Sequence, residues 1–459
     1  MCDAPEIDRL LGIEVYITKN SGLGGRIRGA VEDFQVEELL VDGSKAQVDS
    51  PDKEPPALGA SLDQQQSHLL CVLAKQNWDT LIAVKNVARQ LGLGQNSLQI
   101  AGIKDAKAVT AQYVSIENFT VEDIDKVNVK GVQLRPVGYL RNPLSLFYLL
   151  GNHFKIKITD IPQRDFDVVN MKINQTIEEV TQLGGIPNYF GHQRFGTTRP
   201  ITHYVGKAIL ENNFEKAALL FLAKPSPDEH PETRNARMEL QQTRDFTAAL
   251  GCYPKQLRYE RLMLKYLTEN PNEYLKAFNV LPLKLQVLFV QAYQSYLFNR
   301  FLSERVKAGL PLNSVEIGDF VVGIERTGLP MVNMPQIVTA QNQTKINEAL
   351  STGKMRLALP IVGFKQKLSS GVMGELEQRV LQQENVNMNN FRITANSRLG
   401  NRGSLRAALT PVKDFKHIDI SKNIDGLAVT ITFTLLRGCY ATVLLREIIK
   451  PQNIIAAGF

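Results

Sequence analysis

A chain of 459 residues, 44% hydrophobic and 22% charged, has ample material for a buried core and lacks the compositional marks of a disordered or fibrous protein. Its 53 lysines and arginines outweigh 46 aspartates and glutamates, and the resulting +7 suits a polyanionic partner such as nucleic acid without requiring one. Cys2, Cys71, Cys252 and Cys439 are far apart with no C-x-x-C pair, and the six histidines are equally dispersed, so neither a zinc ribbon, a disulfide framework nor any metal site is expected.

The opening MCDAPEIDRLLG carries acids and no apolar run of signal-peptide type. The longest apolar stretches, such as LSLFYLL at 144–150, fall well short of the roughly 20 residues that span a bilayer. A soluble cytoplasmic protein with no membrane partner is the expectation.

In chain order, RIRGAVEDFQVEELL (26–40) ends in an alternating pattern that predicts a strand with one buried face. Residues 44–67, rich in Pro, Ser, Asp and Gln, have little to bury and read as a surface loop. The segment 68–93 starts as a buried strand and becomes a helix, with Asp79 and Thr80 as the N-cap signal and Gly92 as the stop. LQIAGI and AVTAQYVSI are short strands on either side of a turn that holds Lys104 and Asp105. Strands at LRPVGYL and FKIKITDI follow, then a helix, DVVNMKINQTIEEVTQLGG, that closes on a glycine pair.

From about residue 200 the spacing turns helical, ending in a helix of about 25 residues that stops before Gly309. Strand patterns return in AVTITFTL (428–435) and YATVLLREIIK (440–450). A strand-rich region that yields to helices and then resumes predicts an inserted domain within a discontinuous α+β core. The expected segments are 1–200, 201–410 for the insertion and 411–459.

Four stretches carry residues with chemical potential. Asp105 taken alone is a turn residue, because Asp commonly accepts backbone bonds in turns and at helix starts. A catalytic Asp105 needs a cation beside it, for which Lys104, Arg26 and Arg28 are candidates. IPNYFGHQRFGTTRPITHYVG (186–206) combines Tyr189 and Phe190, which can stack on a base, with Arg194 and Arg199, which can bind phosphate, while Gly191 and Gly196 permit close approach. A core-packed loop accounts for that composition equally well. LLRGCYATVLLREIIK reads as a strand, a Gly turn and a second apolar strand or buried helix ending in Arg446 and Glu447, and QAYQSYLFNR as the packed face of the long helix. No P-loop, G-x-G-x-x-G or G-x-S-x-G pattern occurs.

Taken together and in this order, these stretches resemble the TruD family of tRNA pseudouridine synthases, in its longer archaeal and eukaryotic branch. The motifs that carry the resemblance are EDFQVEE (32–38), GIKDAKAVTAQ (102–112), NYFGHQRFG (188–196) and YATVLLRE (440–447). The resemblance implies a pseudouridine synthase core, an antiparallel sheet with helices, carrying a helix-rich inserted TRUD domain. It implies isomerisation of uridine-13 of tRNA without a cofactor, with Asp105 as nucleophile and Arg28 as its ion-pair partner. Phe190 would stack on the uridine, Asn188 and Lys104 would line its pocket, and Tyr189, Arg194, Arg199 and Arg446 are candidate RNA contacts. Phe190 stands where most pseudouridine synthase families have Tyr, so the acceptor of the C5 proton is left unassigned. A monomer is the default. The competing reading is an RNA-binding protein of the same fold without catalysis.

Overall fold

The alternation in FQVEELL forms strand β1 (Phe34–Leu40), which points Phe34, Val36, Glu38 and Leu40 inward and so buries one carboxylate among three apolar side chains. This computed structural model describes residues 4–49, 56–94, 97–124, 126–423 and 425–459, and the 50–55 part of the proposed 44–67 loop lies outside them. Strand β2 (His68–Gln76) is buried on both faces: Leu69, Cys71 and Leu73 pack under the helix Thr80–Gln90, while Leu70 and Val72 face a second cluster with Tyr113. Strands β3 (Leu98–Ile100), β4 (Val109–Glu117), β5 (Val132–Leu140) and β6 (Leu149–Ile161) follow. Two residues, Ile186–Pro187, form the short β7.

Helices dominate from Thr202 to Lys307, closing with the 25-residue helix Leu283–Lys307. Beyond it the helix-rich insertion also contains a sheet that the sequence pattern does not pick out. Strands β8 (Phe320–Ile324), β9 (Pro330–Ile337), β10 (Met355–Ile361) and β11 (Ser404–Ala407) build a four-stranded antiparallel sheet in the order β11-β10-β8-β9. Strand β9 is mostly exposed and β10 mostly buried, so neither shows the clean alternation that reveals a strand in sequence.

Strands β12 (Leu409–Thr410), β13 (Lys413–Asn423) and β14 (Gly426–Leu436) bring the chain back. The main sheet runs β13-β14-β6-β1-β4-β2-β5, with β3 added on β4. Every pairing is antiparallel except β1 with β4, so the expected α+β architecture with an antiparallel sheet stands, with one parallel contact at its centre. Strand β7 pairs with β12, which sets Pro187 opposite Leu409 across more than two hundred residues of intervening chain.

YATVLLREIIK is a helix, Ala441–Ile449, rather than a strand. All nine of its residues are buried, Arg446 and Glu447 included, and its β-branched Thr442, Val443, Ile448 and Ile449 suit a strand as well as a helix. No helix among the described residues is long and apolar enough to cross a membrane.

Candidate active site

Lys104 and Asp105 occupy the connection between β3 and β4, and that connection is fastened from three sides. The Thr80 hydroxyl donates to the Lys104 carbonyl and accepts its N–H, both at 3.1 Å, while Asp79 caps the same helix through the Ile82 N–H. Gln112 of β4 donates to the Gly102 carbonyl at 3.0 Å. Lys75, almost wholly buried, donates from Nζ to the carbonyls of Asp105 (2.6 Å) and Trp78 (2.8 Å). Burial pulls the Lys75 ammonium down to about 8, against the charges of Asp105 and Asp79.

This fastening sends the two side chains apart. Lys104 turns inward to a buried ion pair with Glu38 of β1 at 2.6 Å, and the second Glu38 oxygen accepts the Tyr113 N–H. Asp105 turns to a cavity of about 230 Å³ and stays about a quarter exposed. Its Oδ1 accepts from Arg28 Nη2 at 3.0 Å and from Gln193 Nε2 at 3.1 Å, and no hydrogen bond to Oδ2 is made among the described residues. Lys104 lines the same cavity, but its charge is committed to Glu38 rather than to Asp105.

Arg28 is held in a conformation that side chains rarely adopt, φ +58. Its guanidinium lies 4.2 Å over the Phe34 ring and donates from Nη1 to the Gly458 carbonyl at 2.9 Å. Gly458 has φ +84, and a Cβ there would stand 2.1 Å from the Ile27 carbonyl oxygen, so only glycine brings that acceptor within reach. Burial pulls the Arg28 guanidinium below its ordinary value, and the opposing charge of Asp105 only partly restores it.

The NYFGHQRFG block lies against the buried polar edge of the long helix. Asn299 accepts the Phe190 N–H at 2.8 Å and donates back to the Phe190 carbonyl at 3.0 Å. Gly191 passes so close to the start of the Ala441–Ile449 helix that a Cβ would meet Thr442 Oγ1 at 2.8 Å and the Tyr440 ring at 3.0 Å. Phe190 is consequently buried, with its ring edge-on to Phe298 and Tyr440 and Arg406 centred 4.1 Å over its face. Asn188 is buried too: its side chain donates to the Ala407 carbonyl and accepts from Arg406 Nη2 at 2.6 Å. Phe34, Phe154 and Tyr440 line the Asp105 cavity, and Phe190 lies behind Tyr440 without lining it. Burial pushes the Tyr440 phenol up, against the charges of Arg194 and Arg406.

Two of the candidate RNA contacts are corrected by their burial. Tyr189 is 1% exposed and its hydroxyl bonds Ser303 at 3.0 Å, so it cannot stack on a base. Arg446 is equally buried, paired with Asp8 and donating to the Val15 carbonyl at 2.8 Å. Arg199 is tied to the Phe221 carbonyl at 2.7 Å, and burial together with neighbouring Arg237 pulls it down to about 10. Arg194 keeps partial exposure, hydrogen-bonded to Ser295 and Gln291 beside the Phe190 ring.

Sequence reasoning missed Gln193, Tyr440, Lys75 and Arg406. Gln193 and Tyr440 stand inside the recognised motifs, so their type was visible while their direction was not. Lys75 lies in a buried strand, where a lone Lys among apolar residues is itself a signal that a partner exists. No group of three or more His, Cys, Asp or Glu side chains able to hold a metal is gathered among the described residues.

The sheet, the inward-facing turn and the carboxylate at the head of a small cavity define the pseudouridine synthase class of architecture that the comparisons bear out. The family model for tRNA pseudouridine synthase D (TruD) matches residues 10–448. A Methanosarcina mazei protein named "Probable tRNA pseudouridine synthase D" is 36% identical over 453 residues, covering 98% of this chain and 99% of the relative. An Archaeoglobus fulgidus protein of the same name is 36% identical over 446 residues, covering 97% of this chain and all of the relative. The crystal structure of a Methanosarcina mazei protein described as TruD superposes with a TM-score of 0.83 at 36% identity, covering 98% of this chain and 99% of that one. The chain therefore belongs to the TruD family of tRNA pseudouridine synthases.

Proposed function

We propose that the protein converts uridine-13 of tRNA to pseudouridine with Asp105 as the nucleophile and without a cofactor. The observation that carries this reading is the Asp105 carboxylate itself, fixed through Oδ1 by Arg28 and Gln193 in the wall of a cavity, with Oδ2 not engaged by the protein. The reaction breaks the bond between C1′ and N1, turns the uracil and rejoins it through C5, with loss of the C5 proton and no change of oxidation state. A fixed carboxylate serves either by adding to the sugar or base, or by taking the C2′ proton to give a glycal. Both routes require the nucleotide to leave its stack, and the Tyr440 ring beside Asp105, backed by Phe190, offers an apolar wall for the extruded base. For Phe190 to stack on the uridine as well, Arg406 has to leave its face.

The division into a core of residues 1–200 and 411–459 with an insertion at 201–410 belongs to the same reading, supported by the β7–β12 pairing that brings both ends of the insertion together. Arg194 and Arg199 are the remaining candidate RNA contacts, and a cytoplasmic monomer is retained.

Pseudouridine mapping by carbodiimide labelling and reverse transcription tests the proposal on unmodified tRNA. A stop at position 13 with the wild type and none with Asp105→Asn is expected. Stops with both proteins would reduce Asp105 to a turn residue. Binding of tRNA by the wild type with no stop at any position would favour the non-catalytic reading.

A further inference from the structure

Behind the wall of the Asp105 cavity, and sharing Arg437 and Cys439 with it, lies a second cavity of about 170 Å³ at the junction of the four-stranded sheet with the main sheet. Arg356 from β10, Arg406 from β11 and Arg437 from the end of β14 all line it, and no Asp or Glu does. None of the three partly buried guanidiniums makes an ion pair among the described residues, whereas the fully buried arginines Arg237, Arg305 and Arg446 each do. Arg406 and Arg437 spend donors on backbone carbonyls, Arg406 on those of Asn188 and Gly438, Arg437 on that of Leu149. Arg356 has no side-chain hydrogen bond at all among the described residues, and its Nε is shielded from solvent. Burial pulls the Arg356 guanidinium below its ordinary value with no carboxylate to offset it.

Arg356, partly buried with no side-chain hydrogen bond among the described residues and with no acid in the cavity lining, has donors left to fill, because a desolvated charge needs a partner. The partner must be an anion, and the planar donor fork of arginine matches the oxygens of a phosphate. We infer that Arg356, with Arg406 and Arg437, is a receptor for a backbone phosphate of the RNA adjoining the nucleotide delivered to Asp105. The inference rests on the reading of this chain as an enzyme acting on RNA. The inserted sheet thereby acquires a part in substrate binding, with β10 and β11 supplying the charges that fix where the strand enters. A phosphate in the cavity also gives Arg406 a reason to leave the Phe190 face, since it competes for the same guanidinium.

The test measures binding of unmodified tRNA to the full chain by filter retention over a series of salt concentrations, for wild type, Arg356→Gln and Arg356→Lys. Arg356→Gln is expected to weaken binding about tenfold at low salt and to flatten the slope of log affinity against log salt by about 0.7 to 0.9, the loss of one phosphate contact. Arg356→Lys keeps the slope and loses part of the affinity. The RNA-free Arg356→Gln protein unfolds at or above the wild-type temperature, because the substitution removes an unpaired charge rather than a contact. Unchanged affinity and slope in Arg356→Gln would overturn the inference. So would weaker binding with an unchanged slope and a lowered unfolding temperature, which would mark a structural role. Inorganic phosphate that raises the wild-type unfolding temperature but not that of Arg356→Gln, with tRNA slopes identical, would assign the cavity to a free anion and also overturn it. If the wild type binds tRNA but forms no pseudouridine, the proposed reaction fails while the difference in slope still decides the phosphate receptor.

Discussion

Two aspartate–arginine pairs, Asp105–Arg28 and Asp8–Arg446, have the same chemistry in opposite settings. Asp8 is sealed: Arg446 takes one oxygen, His192 takes the other at 2.6 Å, and both members of the ion pair are essentially unexposed. Burial raises the Asp8 carboxyl, but the Arg446 charge and the His192 hydrogen bond overcome it and leave Asp8 below its ordinary range. Asp105 uses a single oxygen for its two donors and keeps contact with a cavity. Saturating an acid with partners makes a clamp, here between the N-terminal segment and the Ala441–Ile449 helix. Leaving one oxygen unengaged keeps an acid open to whatever enters the cavity.

The comparison breaks first at Asp105. Asp105→Asn is expected to cut pseudouridine formation by about a thousandfold or more while the unfolding temperature stays near that of the wild type, as measured by single-turnover assay and calorimetry. Asp8→Ala is expected to do the reverse, destabilising the fold by about 3–5 kcal/mol because Arg446 and His192 are left buried without their acid, a loss that denaturant titration reads directly. Tyr440→Ala, which removes the ring beside the carboxylate, should lower the rate by about tenfold or more at unchanged folding. Gln193→Ala, which withdraws one donor from Oδ1, should cost about tenfold, and a rate equal to wild type would show that Arg28 alone positions the carboxylate.

A third acid sharpens the contrast by having no cation in contact. Glu377 is unexposed, accepts from the Ser369 N–H and hydroxyl at 2.8 and 2.9 Å, and is pushed up to about 8, chiefly by burial and with Asp319 adding to it. The folded protein thus holds this proton more tightly than the unfolded chain, so its contribution to stability is complete below about 4.5 and declines as pH rises toward about 8. Glu377→Gln should flatten the fall in unfolding temperature between pH 5 and pH 8, and an unaltered pH profile would contradict that assignment.

Much of the site is legible in the sequence because its residues sit in contiguous blocks: the turn with Asp105, the Phe190 loop and Arg28 all emerge as near neighbours of the same region. Direction is not legible. Lys104 adjoins Asp105 in sequence, yet its side chain goes to Glu38, a residue whose burial follows from the alternation of β1 but whose partner depends on how β1 meets β4. Tyr189 adjoins Phe190 and illustrates the same point, pointing into the long helix. The Ala441–Ile449 helix reads as strand because it is short and rich in β-branched residues, and the sheet from Phe320 to Ala407 reads as helix-rich insertion because one of its strands is exposed and another is mostly buried. The Arg356 cavity carries no signal at all in the sequence, since its three arginines come from separated strands and meet only in the folded chain.

The bond from Arg28 to the Gly458 carbonyl spans 430 positions, and β6 waits between β1 and β14 for strands made far apart in time. Arg28 therefore cannot lock beside Asp105 until the Gly458 segment has been made, and a fold with so many distant pairings matures slowly. A chain that lacks the Gly458 segment holds the Asp105 motif yet lacks the acceptor that fixes Arg28 beside it.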